Sequence, residues 1–282
     1  MSPMQPGSLS DPAFAPVALP QAWQREFEAR DGSRYRLLIS VPEHPASARG
    51  FPTLVLVDGH ALFPVAATAA RLQAQRPEAT GVGPAVVIGI GYPHERPFDA
   101  ERRQRDLLPV PGGADRFLDM IVEEILPAVA RIAPLDPARR ALAGHSYGGL
   151  FVLHTLFTRP GLFTSLVAGS PSIWWQDRAI LASEDMFRRG GSASAGRLLI
   201  TVGSHEQDPV LAVTPQRAER LARARMRDNA AEMAARLTAS GRLDCSFTEF
   251  PGENHVSVIP AMLARTVAFA LAGTAQDKAA AA

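Results

Sequence analysis

Five short apolar runs, each fenced by turn residues, constrain the fold of this chain more than any other feature. Thr53-Leu54-Val55-Leu56-Val57 lies between Pro52 and Asp58-Gly59, and Ala85 to Ile90 lies between Pro84 and Gly91. Leu142 with its neighbours, Leu166-Val167-Ala168 and Leu198 to Val202 follow. Runs this short, with no polar alternation, fit strands covered on both faces, as in a parallel sheet. Covering both faces requires helices between them. Phe117, Met120, Ile121, Ile125 and Val129 recur mostly at steps of three and four and mark one helix face. Gly149 to Phe157 is apolar nearly all round, which predicts a buried helix. Pro215 to Leu237 reads as one long arginine-rich helix, and Val258 to Ala272 as the last. Trp23 to Phe27 and Tyr35 to Val41, split by Asp31-Gly32, predict an antiparallel hairpin at one edge. The expectation is a three-layer α/β sandwich.

The 282 residues suit one large α/β domain, placed at 21–273. Residues 1–20 carry Pro3, Pro6, Pro12, Pro16 and Pro20, and 274–282 are small and polar, so both are expected to be flexible. The formal charge of +1 gives no electrostatic case for nucleic acid or membrane. No apolar run approaches a membrane span, and residues 1–20 lack the basic and apolar regions of a secretory signal, so the expected location is cytoplasmic. The single cysteine, Cys245, excludes an intramolecular disulfide and a multi-thiolate zinc site; its setting predicts core packing at a strand start. With no metal-binding or nucleotide-binding motif, no cofactor is expected.

One segment carries chemistry. Gly144-His145-Ser146-Tyr147-Gly148 matches Gly-x-Ser-x-Gly, with Ala141 to Ala143 as a strand before it and the buried helix after it. In that strand–turn–helix setting the flanking glycines allow a tight corner that projects the serine hydroxyl above the sheet. The helix N-terminus there favours developing negative charge. The expected fold is therefore the α/β-hydrolase fold: a mostly parallel central sheet with an antiparallel N-terminal hairpin, helices on both faces and no large cap domain. Ser146 is the expected nucleophile of an ester hydrolase working through an acyl-enzyme.

The nucleophile needs a base, and the fold's chain order is serine, acid, histidine. His154, His205 and His255 follow Ser146. His154 lies inside the buried helix. His255 falls after the strand Ser246 to Phe250 and before the final helix, where the base belongs. The loop after Leu198 to Val202 offers Glu206 and Asp208 as the acid; Glu206 is favoured, with Asp208 or a Ser–His dyad left open. The oxyanion hole calls for the backbone N–H of Tyr147 and one from the loop after the third strand, for which His60 is the candidate. An acyltransferase or general carboxylesterase of the same fold, or a non-catalytic binding protein on this scaffold, are the alternatives.

These segments resemble the esterase family of α/β hydrolases that includes enterobactin and salmochelin esterases, over roughly residues 23–270. The resemblance rests on Pro52 to Phe63, Gly89-Ile90-Gly91-Tyr92-Pro93, Arg105-Asp106-Leu107-Leu108-Pro109, Gly144 to Phe151 and Ser170-Pro171-Ser172-Ile173-Trp174-Trp175. The family often has Asn at the position of His60. The resemblance implies action on catecholate siderophore trilactones or related activated esters, Glu206 at the acid position, and substrate contacts from Arg103, Ser170 and Trp174. It implies a small-molecule partner; the oligomeric state stays open. Arg217, Arg220, Arg223, Arg225 and Arg227 read as a solvated helix face.

Overall fold

The structure, a computed structural model, describes residues 17–111, 113–190, 196–208 and 214–273. Residues 1–16 and 274–282, which hold most of the expected flexible ends, lie outside the described residues.

Eight strands form one sheet in the order β1-β2-β4-β3-β5-β6-β7-β8. β1 (Ala22–Glu28) and β2 (Arg34–Ser40) make the antiparallel hairpin, and β2 pairs antiparallel with β4 (Val86–Gly91). From there the sheet is parallel through β3 (Phe51–Val57), β5 (Leu135–His145), β6 (Ser165–Gly169), β7 (Arg197–Gly203) and β8 (Asp244–Phe250). This is the α/β-hydrolase fold. The apolar runs become central strands because only helices on both faces keep such residues from water.

Alternate residues of each strand feed two separate cores. Leu54 and Leu56 of β3, with Ala141 and Ala143 of β5, face α1 (Gly59–Gln73) and α11 (Val258–Leu271). Val55, Val57, Leu142 and Ile200 face the other layer. That layer holds α3 (Ala100–Leu107), α4 (Ala114–Met120), α6 (Tyr147–Thr158), α8 (Ile180–Arg189) and α10 (Met226–Ser240). Each fully buried leucine among these stabilises by about 1.5–3 kcal/mol relative to exposure. α2 (Pro77–Thr80), α5 (Leu126–Ala130) and α7 (Trp175–Arg178) are single turns.

Two helical segments differ from the sequence reading. Phe117, Ile121, Ile125 and Val129 are all buried, but steps of four drift around a 3.6-residue helix. A π turn over Ile121–Ile125 compensates, just where Pro127 has no N–H to bond back. The long helix expected over 215–237 is two: α9 (Pro215–Ala224) and α10, broken at Arg225 with φ 45°. No glycine or proline announces that break.

Candidate active site

Register brings four loops together. His145 pairs with Gly169, Gly169 with Thr201, and Gly203 with Phe250, so the C-terminal ends of β5, β6, β7 and β8 lie side by side. The next residues along each strand's exit carry Ser146, Ser170 to Ser172, Glu206 and His255.

Ser146 sits at φ 62° and ψ −114°, outside the regions open to most side chains. The corner is this tight because Gly144 and Gly148 touch: a Cβ on Gly144 would stand 2.5 Å from the Gly148 carbonyl carbon and oxygen. Strain of this kind costs about 1–3 kcal/mol and persists only where surroundings enforce it. Here the Ser146 N–H donates to the Gly169 carbonyl at 2.9 Å, and the Ser146 carbonyl accepts from the Leu150 and Ser172 amides. The Ser146 hydroxyl lies 3.3 Å from the Ser172 hydroxyl.

His255 Nδ1 donates to Glu206 Oε2 at 2.6 Å. Glu206 is fully buried, and its other oxygen accepts from the Ser170 hydroxyl at 2.6 Å and the Gly203 amide at 2.7 Å. The carboxylate thus has a partner for each oxygen. It fixes the imidazole with Nδ1 protonated and leaves Nε2 as the basic nitrogen. Ser146, Ser172, Glu206 and His255 line one pocket of about 830 Å³, in the size range of small-molecule sites.

His145 packs against His255, with ring centroids 4.6 Å apart. Burial pushes the His145 pKa well below its usual value, and the charges of His255 and Arg103 push the same way. A neutral ring here supports His255 without a competing proton.

The loop at Asp58 to His60 and the corner at Ser146 meet. Gly59 and His60 open α1, and Tyr147 opens α6; first-turn amides have no acceptor inside their own helix. The two openings are neighbours, since a Cβ on Gly148 would stand 2.8 Å from Val57. Asp58, at φ 54°, precedes α1, is buried, and takes Arg103 Nε at 2.9 Å. Burial pushes the Asp58 carboxyl up, and Arg103 pulls it back toward ionisation.

A family model described as "Putative esterase" matches residues 29–257. The chain belongs to this esterase family. The esterase is 33% identical to the ferri-bacillibactin esterase BesA of Bacillus subtilis, over 90% of both chains. It is 38% identical to a siderophore triacetylfusarinine C esterase of Aspergillus fumigatus, over 89% of this chain and 93% of that one. Among solved structures it is similar to the siderophore hydrolase EstB from Aspergillus nidulans, with a TM-score of 0.81 and 35% identity, covering 92% of this chain and 97% of that one.

Other residues singled out from the sequence fall in different places in the esterase. Trp174 lines the pocket, 38% exposed, with its ring 6.3 Å from that of Tyr147. Ser170 is fully buried at φ 41° and spends its hydroxyl on Glu206. Arg103 pairs with Asp58, donates to the His145 carbonyl at 3.1 Å, lies over the Tyr147 and Phe98 rings and is not among the residues that line the pocket. The His60 ring turns away and donates to the Tyr92 carbonyl at 3.0 Å, against Gly91. His154 pairs with Asp115, and Cys245 packs against the core, where burial pushes its thiol up to about 11. Sequence reasoning passed over Ser172, although it lies in the quoted Ser-Pro-Ser segment, and His145, which lies inside the nucleophile motif. Among the described residues no cluster of three or more His, Cys, Asp or Glu could hold a metal, and no helix is long and apolar enough to cross a membrane.

Proposed function

We propose that this esterase hydrolyses siderophore esters through a covalent acyl-enzyme on Ser146. The observation that carries the reading is the Glu206–His255 pair at 2.6 Å, lining the same pocket as a strained serine. The relatives named as siderophore esterases support the substrate class.

The steps follow from the groups present. A turn about χ1 of Ser146 moves its hydroxyl from Ser172 to His255. His255 Nε2 takes the proton as Oγ attacks the ester carbonyl, and Glu206 stabilises the resulting imidazolium. The carbonyl oxygen becomes an oxyanion held by the Tyr147 and His60 amides, each such donor contributing about 3 kcal/mol to lowering the barrier. The intermediate collapses, and His255 returns the proton to the departing alcohol. Water then attacks the acyl-serine, giving up a proton to His255, and the acid product leaves with Ser146 restored.

The test is mass spectrometry of products from a siderophore trilactone, with Ser146→Ala and His255→Ala beside the wild type. The proposal expects ring-opened acids from the wild type alone. Equal product from Ser146→Ala overturns it.

A further inference from the structure

Five arginines, Arg178, Arg217, Arg220, Arg223 and Arg225, line the pocket that holds Ser146 and His255. Arg225 is neutralised by Asp228 at 3.1 Å and Glu232 at 2.8 Å. The other four have no carboxylate within ion-pair distance among the described residues. The chain as a whole carries a net charge of only +1, so this is a local concentration. The acids on the wall do not offset it: Glu206 is committed to His255 and Ser170, and Asp177 stands alone.

The placement follows from α9. Arg217, Arg220, Leu221 and Ala224 lie at steps of three and four, on one face, and all line the pocket. Glu219, about 200° round from Arg217, is not among the lining residues. No residue of α9 is buried, so its arginines are not there to cover a core. The break at Arg225 turns α9 away from the line of α10 and lets it present this face beside the nucleophile. The arginines Arg217, Arg220 and Arg223 are exposed, as the sequence leads one to expect, and they also line the pocket.

We propose that Arg217, Arg220 and Arg223, with Arg178, select an ester that carries several negative charges on the side facing α9. This rests on the hydrolase reading above and adds the charge of the substrate to it. Among siderophores the matching form is the iron-loaded tris-catecholate, in which three doubly deprotonated catecholates around a ferric ion leave a trianion; a neutral chelate or the protonated metal-free ligand is a poorer partner. Guanidinium groups suit this role, since their planar forks bond to paired phenolate or carboxylate oxygens and stay charged throughout.

The experiment compares kcat/KM for a ferric tris-catecholate trilactone with that for neutral p-nitrophenyl butyrate. The enzymes are wild type, R217Q/R220Q/R223Q and R217K/R220K/R223K. The ratio of anionic to neutral kcat/KM is expected to fall about 30-fold in the glutamine variant and to stay within about threefold in the lysine variant. Raising salt from about 0.05 to 0.5 M should lower the wild-type ratio about tenfold and barely move that of the glutamine variant. A ratio unchanged within twofold in the glutamine variant overturns the proposal. If the wild type cleaves neither ester, the hydrolase reading fails on its own. The charge inference is then read from binding: the ferric complex should quench tryptophan fluorescence of S146A, through Trp174, with a Kd about 30-fold tighter than when the three arginines are also glutamine. Equal Kd values overturn it.

Discussion

Glu206 holds His255 by Nδ1 at 2.6 Å while its second oxygen is held by Ser170 and Gly203. The carboxylate therefore cannot turn without breaking three bonds, and the imidazole cannot turn without giving up its bond to that fixed carboxylate. Replacing it with an amide keeps the shape but lets the ring adopt the wrong tautomer. Glu206→Gln should lower kcat on p-nitrophenyl acetate about a hundredfold or more, whereas Asp208→Asn should change it little. Steady-state kinetics on the two variants checks this, and the opposite ranking would move the acid to Asp208.

Arg103 and Asp58 form a second relationship, with a structural consequence. Asp58 has no exposed side-chain surface and Arg103 has 12%; Arg103 bonds Asp58 Oδ1, while Oδ2 has no hydrogen-bond partner among the described residues. Arg103→Met leaves a buried carboxyl uncompensated and should cost about 3 kcal/mol, seen as a lower urea midpoint; Arg103→Lys should cost less. Unchanged stability with a raised KM for an anionic ester would put Arg103 on the substrate instead.

His145 predicts a pH dependence of stability. Its folded pKa lies well below the unfolded value of 6.5, so below that pH the unfolded chain binds a proton that the folded chain does not. The stability it contributes is complete above 6.5 and is lost as pH falls toward the folded pKa, by at most about 1.4 kcal/mol per pH unit. Thermal melts between about pH 7 and 5 should show the midpoint falling, and the fall should be shallower in His145→Gln. Equal slopes in both proteins would contradict this.

The corner at Ser146 depends on glycine contact. A methyl group on Gly144 would overlap the Gly148 backbone, which cannot yield like a flexible side chain. Gly144→Ala should lose about 3 kcal/mol in urea denaturation and most of its esterase activity. Wild-type stability in that variant would mean the corner is looser than described.

Much of the sheet was legible because buried parallel strands leave short apolar runs that little else produces. The runs at 53–57 and 198–202 fall inside β3 and β7, and the hairpin and the last helix fall where the sequence puts them. The sequence favours Glu206 over Asp208 without deciding between them, since both sit in one loop; the fold turns Glu206 toward His255. The break at Arg225 has no sequence signature either, because arginine rarely adopts a left-handed conformation. Without that break nothing in the sequence puts the exposed arginines of α9 in the pocket of Ser146. Arg103 and Ser170 carry polar chemistry in either role, and only burial separates a strut from a substrate contact.

The most direct measurement is to trap the reaction part-way. The protein is mixed with p-nitrophenyl acetate, quenched in acid within the first turnover, digested and mapped by mass spectrometry. The account predicts one acetyl group per chain, on the peptide carrying Ser146, appearing with a matching burst of p-nitrophenol. Steady turnover with no acetyl on that peptide, or acetyl on another residue that accumulates and decays at the catalytic rate, would contradict it.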